Sequence, residues 1–535
     1  MKLFFLFSII LAFSLARDSF IASDEAINLQ MVKNMQESPS RFLLRPSYDP
    51  GGHNDWASES MPHVLMTPFF HYVFYAFNKI FPISLISSSA ALVGILLFVL
   101  LLIFQKLLTP KIKDESALEI FMLSIFPISY YLHIEHEALM SIAGFVSLYF
   151  CHSGLMKKRK SHFSFSGIFL GISFLSKLWL ICPFGIGLLF ILFRSMYLRE
   201  SSLASYLQYS LILIFSFILT SSLHLLAVQI MSPDDVNVWL NHVYFGIITG
   251  AGDYGVKSNG GGWGQPFYYY FYTMLRDLFS IIPFLILGLL GFRGEYSNKK
   301  MSHFDFAMIG VVCSVLVLSL NSTKEPLYIL PSYLGVLFLC CRFFIYSAVN
   351  NRFFRQLCFF QVFSQIIFFG TVWALELSDS LDINFIMFSF LGSVLSLLII
   401  YVVKIKHAKI PFLLSVFIFS LPLLYNNIRL EKRFIPVVAF IQDHNKINKL
   451  PSDTYVVSDF YSQIGFEIWN RVKKYNWLLG DDISNRDNIR SLLSNEQYRY
   501  FILTEENKFR LMAIEVGMEL GLKLRTFDEV DLLYK

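Results

Sequence analysis

The chain has 535 residues, 55% hydrophobic and 16% charged, with a mean hydropathy of +0.54. Soluble domains carry about 25% charged residues, so this composition excludes an ordinary soluble protein and indicates a polytopic membrane protein. The net charge of +5 is spread along the chain rather than clustered, which argues against a nucleic-acid surface, and all six cysteines fall in apolar runs, which implies neither a disulfide framework nor a Cys/His metal site.

Residues 3–16 (LFFLFSIILAFSLA) form the first apolar run, preceded by Lys2 and ending in Ser14-Leu15-Ala16. Taken alone it reads as a signal peptide, yet Phe20-Ile21-Ala22 extend it toward a retained first helix. Next comes an acidic pair, Asp24-Glu25, expected at the headgroup level just outside the membrane. A carboxylate there could act as a general base toward an acceptor hydroxyl or amine, and it could equally start the helix AINLQMVKNM. A polar stretch with His53, Asp55, Trp56 and His63 follows, and any of these could line a cavity. The aromatic segment PFFHYVFYAFNKIF (68–81) closes this first loop, expected at 17–84.

Further apolar runs lie near 85–104, 117–132, 138–154, 163–176, 178–193, 205–231, 279–292, 304–320, 326–341, 356–375, 384–403 and 410–425. With the first run they predict about thirteen spans. If the N-terminus is cytoplasmic, the inside turns collect Lys and Arg, as the positive-inside rule requires. The short outside turns then hold only Lys177 and Lys324 as lone cations, each placed to meet an anionic group such as a lipid phosphate, or merely snorkelling to headgroups. The turn HIEHEALM concentrates His133, Glu135, His136 and Glu137 at a membrane boundary, where ionisable groups are costly unless they serve something. They could line an active cavity or hold a divalent metal. A second long outside loop, 232–278, has a glycine run at 260–262 and an aromatic stretch, with Lys257 and Arg276 as weaker candidates for anion contact.

From about residue 427 the composition turns polar. TYVVSDF (454–460) and RYFILTEE (499–506) read as strands, FEIWNRVKKY and FRLMAIEVGMELGL as amphipathic helices, and LKLRTFDEVDLLY as a last strand. The alternation β-α-β-α-β predicts a small extracytoplasmic α/β domain over 427–535, following a transmembrane domain over 1–426. It contains no Gly-rich phosphate loop and no nucleophile motif.

The order of these features resembles a type C membrane glycosyltransferase, in the branch that holds the protein O-mannosyltransferases and the bacterial aminoarabinose transferase of lipid A. The resemblance covers roughly residues 1–345. It is carried by the acid pair after the first span, by the aromatic segment beginning at Pro68, and by the turns GISFLSKLWLICP and STKEPLYILP, with Lys177, Lys324, Tyr328 and Pro331. One departure is Met66-Thr67-Pro68, where aminoarabinose transferases carry a Lys before the Pro. The resemblance implies a polyprenyl-phosphate sugar donor, a lipid, glycan or protein acceptor, and no required cofactor. It makes Asp24, beside Glu25, the base, sets Lys177, Lys324 and Tyr328 against the donor phosphate, and favours a retained first helix. It also implies a bacterial inner membrane with the reaction on the extracytoplasmic face. Two other classes remain in view: a polysaccharide polymerase or ligase, for which the long loop offers only Arg276, and a lipid-linked glycan transporter, for which the sequence has no inverted repeat.

Overall fold

The computed structural model describes residues 23–37, 69–108, 134–200, 202–231, 236–240, 266–277, 301–319, 326–347, 454–457, 486–496, 499–504, 510–527 and 530–535, with isolated positions elsewhere. Helix α1 (Ser23–Glu37) starts on the acid pair. Helix α2 (Phe69–Ile80) is the aromatic segment; its 12 residues reach about 18 Å, too short to span a bilayer. Phe70, Phe74 and Asn78, one turn apart, bury one side of it against α1 and against α3 (Leu85–Leu108). A polar chain ties the three helices together. Gln36 donates to the side-chain oxygen of Asn78 at 2.6 Å, and Asn78 donates to the Ser88 hydroxyl.

Helices α4 (His136–Lys157) and α5 (Lys160–Lys177) form a hairpin whose tight turn puts Lys158 in the left-handed region, at φ 52°. A seam of serines joins them. Ser147 donates to the Ser166 carbonyl at 2.8 Å, Ser166 donates back to the Ser147 carbonyl at 2.9 Å, and Ser173 donates to the Met140 carbonyl at 2.8 Å. Small hydroxyl residues suit such a seam because they let helices approach while keeping every polar group paired inside the membrane. The hairpin fixes polarity: the basic residues 157–160 lie at one end of the bundle and Lys177 at the other, about 27 Å away.

A 3₁₀ turn (Leu178–Ile181) leads into α6 (Cys182–Tyr197), with Pro183 in its first turn, and α7 (Leu203–Met231) follows. Helix α7 is 29 residues long, about 43 Å, and must tilt or protrude from a hydrocarbon core of about 30 Å. Only 28% of its apolar window is buried, so most of its surface is left for lipid. What is buried packs on α5 through Gly167 and Gly171, four residues apart. A Cβ at Gly167 would sit 2.2 Å from the Leu213 carbonyl oxygen, and one at Gly171 2.6 Å from Thr220 Cβ. The obstacle at Gly167 is backbone, which cannot swing aside. Gly167→Val is therefore expected to destabilise the folded protein by about 3 kcal/mol through overpacking. Gly185→Ala, at a position with open space, should match or slightly exceed the parent, and thermal denaturation in detergent checks both.

Helix α8 (Tyr269–Asp277) belongs to the second long loop. Helix α9 (His303–Leu318) begins in a capping box, where Ser302 accepts from the Asp305 N–H and the Asp305 carboxylate accepts from the Ser302 N–H. A second 3₁₀ turn (Pro326–Ile329) opens α10 (Leu330–Ser347). Interlocked rings bind the bundle: Phe104 lies 5.3 Å from Phe145 and 5.1 Å from Phe338, and Phe145 lies 5.2 Å from Phe184. A smaller core of Leu29, Val32, Phe70, Phe74, Val93, Ile134 and Leu139 holds α1 and α2 against α3 and the start of α4. Among the described residues, helices covering 85–107, 136–157 and 203–230 are long and apolar enough to cross a membrane, and 182–197, 303–318 and 330–339 are shorter apolar helices. The runs expected at 3–16, 117–132, 279–292 and 410–425 lie outside the described residues.

In the tail, β1 (Thr454–Val457), α11 (Arg486–Ser494), β2 (Tyr500–Thr504), α12 (Arg510–Glu519), β3 (Lys523–Phe527) and β4 (Val530–Tyr534) build a four-stranded sheet in the order β1-β2-β4-β3. Strand β1 runs parallel to β2, and β4 pairs antiparallel with both β2 and β3. LKLRTFDEVDLLY is thus two strands rather than one, with Phe527 opposite Val530 across a two-residue connection. Folding back lets Leu532 and Leu533 reach the centre of the sheet, where both are fully buried. Gly521, at φ 76°, ends α12; its N–H reaches the Met518 carbonyl while the Leu522 N–H reaches that of Gly517. FEIWNRVKKY lies outside the described residues.

Candidate active site

Five pieces of chain meet at the Lys177 end of the bundle: α1, α2, the N-terminus of α4, the C-terminus of α5 and the 3₁₀ turn before α10. Glu137 occupies the first turn of α4 and Lys177 the last turn of α5, so each charge sits at the helix end whose dipole favours it. Their side chains are 2% and 8% exposed, and Lys177 Nζ lies 2.8 Å from Glu137 Oε1. No hydrogen bond of regular geometry reaches either carboxylate oxygen, so the contact is one of charge with charge. The same ammonium stands 5.6 Å from the centre of the Tyr328 ring, within cation–π range.

Behind this pair lies a set of neutral polar groups. Asn28 donates from Nδ2 to the Ile134 carbonyl at 3.2 Å, which turns its Oδ1 toward two imidazoles. His71 Nε2 lies 3.1 Å from that oxygen and His136 Nε2 lies 3.2 Å from it. Burial pushes His71 down to about 3, so it is neutral, and its one N–H is at Nε2 facing the amide oxygen. His136 donates from Nδ1 to the carbonyl of Ser176, the residue just before Lys177, at 2.9 Å; a neutral imidazole has one N–H, so its Nε2 packs against the Asn28 oxygen without donating to it. Phe70 stacks on the His136 ring at 4.3 Å and covers it.

The residues singled out in the sequence are distributed as follows. Asp24 and Glu25 lie in the first turn of α1, four and three residues before Asn28. Glu135, His136 and Glu137 are all buried: Glu135 occupies the N-cap position of α4, and His136 and Glu137 are its first residues. Lys177 is likewise not a lone cation at the surface; it is buried and paired. Arg276 belongs to α8, which packs on the 3₁₀ turn carrying Tyr328. His63, His133, Lys257 and Lys324 lie outside the described residues. Among the described residues, no group of three or more His, Cys, Asp or Glu side chains is arranged to hold a metal ion. His136 and Glu137 are instead committed to Ser176, Asn28 and Lys177. Asn28, His71 and Ser176 were not foreseen. A polar residue one turn after the acid pair and a histidine inside an aromatic helix were the only signals, and neither has a partner nearby in sequence.

The chain shares its fold with solved structures. The solved structures that match include ArnT from Cupriavidus metallidurans in the apo state and the same protein bound to undecaprenyl phosphate. The TM-scores are 0.67 and 0.68, and in both cases 99% of this chain and 97% of that one are covered at 10% identity. At that identity the likeness is one of fold. No protein-family model and no curated protein matches the chain.

Proposed function

We propose that this chain is a glycosyltransferase that moves a sugar from a polyprenyl-phosphate donor to a lipid, glycan or protein acceptor on the extracytoplasmic face of a bacterial inner membrane. The observation that carries the proposal is the buried Glu137–Lys177–Tyr328 cluster, joined through His136 and Asn28 to the helix that begins with Asp24 and Glu25. That cluster lies in a fold shared with a protein solved in complex with undecaprenyl phosphate.

Asp24 takes the proton from an acceptor hydroxyl or amine. The freed lone pair attacks the anomeric carbon, the bond from that carbon to the phosphate oxygen breaks, and polyprenyl phosphate departs with the electron pair. The departing group gains negative charge, so a fixed cation stabilises the transition state more than the ground state. Lys177 supplies that cation; its ammonium carries three N–H donors and is held beside Glu137 by charge. Tyr328 flanks it, and Lys324 and Arg276 come from segments adjoining the same 3₁₀ turn. Glu25 assists Asp24 at the start of α1.

Mass spectrometry of envelope lipids, glycans and glycoproteins from cells with and without the chain tests this reading. A sugar-sized mass missing from one acceptor class when the chain is absent supports it and names the acceptor. Unchanged envelopes, with undecaprenyl-phosphate sugars failing to accumulate, would count against it.

A further inference from the structure

Asn28 is the point where the two halves of the proposed reaction are joined, and the inference drawn from it rests on that reaction. Four residues separate it from Asp24, a rise of about 6 Å along α1. Its amide contacts two separated parts of the chain. The Nδ2 donor holds the Ile134 carbonyl, just ahead of Glu135-His136-Glu137; the Oδ1 acceptor faces Nε2 of His71 on α2 and of His136 on α4. His136, packed against the same amide oxygen, donates from Nδ1 to the carbonyl of Ser176, whose neighbour is Lys177. Thus one 6%-exposed side chain and one imidazole connect the helix of the base to the residue that meets the phosphate.

The chemistry admits few substitutes. The site needs one donor and one acceptor in a single short plane. Aspartate lacks the donor, leucine lacks both, and glutamine is a methylene too long for a closely packed site. Unmet, the His71 N–H would stay buried without a partner, which a packed helix tolerates poorly. A small rotation of α1 would relieve this, and it would carry Asp24 away from the acceptor.

We propose that Asn28 is a positioning residue that sets the distance between the base on α1 and the phosphate held at Lys177, with its bonds to the Ile134 carbonyl and the His71 N–H as its arms and His136 packed beside them. It touches neither substrate. Its loss therefore acts on the chemical step rather than on donor binding.

The test uses full-length protein in detergent with bilayer lipid. Affinity is read with undecaprenyl phosphate alone, and turnover with an undecaprenyl-phosphate pentose followed as released undecaprenyl phosphate. In Asn28→Leu, kcat should fall about 100-fold, as expected for misplacement of a reacting group by about 1 Å, while undecaprenyl phosphate affinity stays within about threefold of the parent. His71→Gln, which keeps a nitrogen donor near the position of Nε2, should stay within about threefold of the parent kcat; His71→Leu should lose about tenfold. A parental kcat in Asn28→Leu, after normalising to protein that binds undecaprenyl phosphate, would overturn the proposal. So would equal losses in His71→Gln and His71→Leu, because a purely structural role is blind to the donor. Asp24→Asn separates the two readings: if it is inactive while Asn28→Leu is fully active, only the positioning role fails, and if it is fully active the base assignment itself fails.

Discussion

Asp24→Asn is expected to lower kcat by about three to four orders of magnitude, the upper range for removing a general base. Asparagine is the same size and also suits a helix start, so α1 should form as before. The loss should appear in turnover with undecaprenyl phosphate binding near the parental value, since the proposed phosphate contact is elsewhere, at Lys177. Asp24→Glu is the informative companion. It keeps a carboxylate of similar basicity but moves it by one methylene, and should retain a measurable fraction of the activity. If both variants turned over at the parental rate, the proton would be taken by another group and Glu25 would be the next to test.

Lys177 carries the second large expectation, with effects on both stability and chemistry. Lys177→Met leaves Glu137 as a buried, unpaired carboxylate, and breaking a buried pair in this way costs about 3–5 kcal/mol. The double variant Lys177→Met/Glu137→Gln removes both charges and should recover most of that stability, because two neutral groups of similar volume replace the pair. Activity should not recover with it. The cation that steadies the departing phosphate is still missing, and losses of about 100- to 1,000-fold are usual for such groups. Thermal denaturation alongside undecaprenyl phosphate binding separates these outcomes. A stable double variant that binds the lipid as well as the parent would show that Lys177 serves only the fold.

Several of these features were legible in the sequence, for identifiable reasons. Apolar runs near 85–104, 138–154 and 205–231 matched helices because burial in lipid demands length and apolarity from one continuous segment, and both can be counted. Lys177 and Tyr328 were grouped from the turns that carry them, and the structure sets them 5.6 Å apart. The partner of Lys177 was not legible. Glu137 was read as a cavity-lining or metal-holding residue with no partner assigned, because the pairing depends on a hairpin that brings residues 40 apart in sequence to one end of the bundle. Asn28 was less visible still: its bonds to Ile134 and His136 span 106 and 108 residues. The same limit shows in the tail. The split of LKLRTFDEVDLLY into two strands falls at Asp528-Glu529, which lacks the glycine or asparagine that usually marks a two-residue hairpin.

Under the proposed function, the pairing of Glu137 with Lys177 also bears on how each round of transfer ends. A solitary buried ammonium would hold the spent lipid more tightly than the incoming one, since the phosphate gains charge when the sugar leaves it. With a carboxylate 2.8 Å away, the ammonium has somewhere else to return to. Each round can then end with Glu137 reclaiming its partner, and the used carrier is free to diffuse back into the bilayer for reloading.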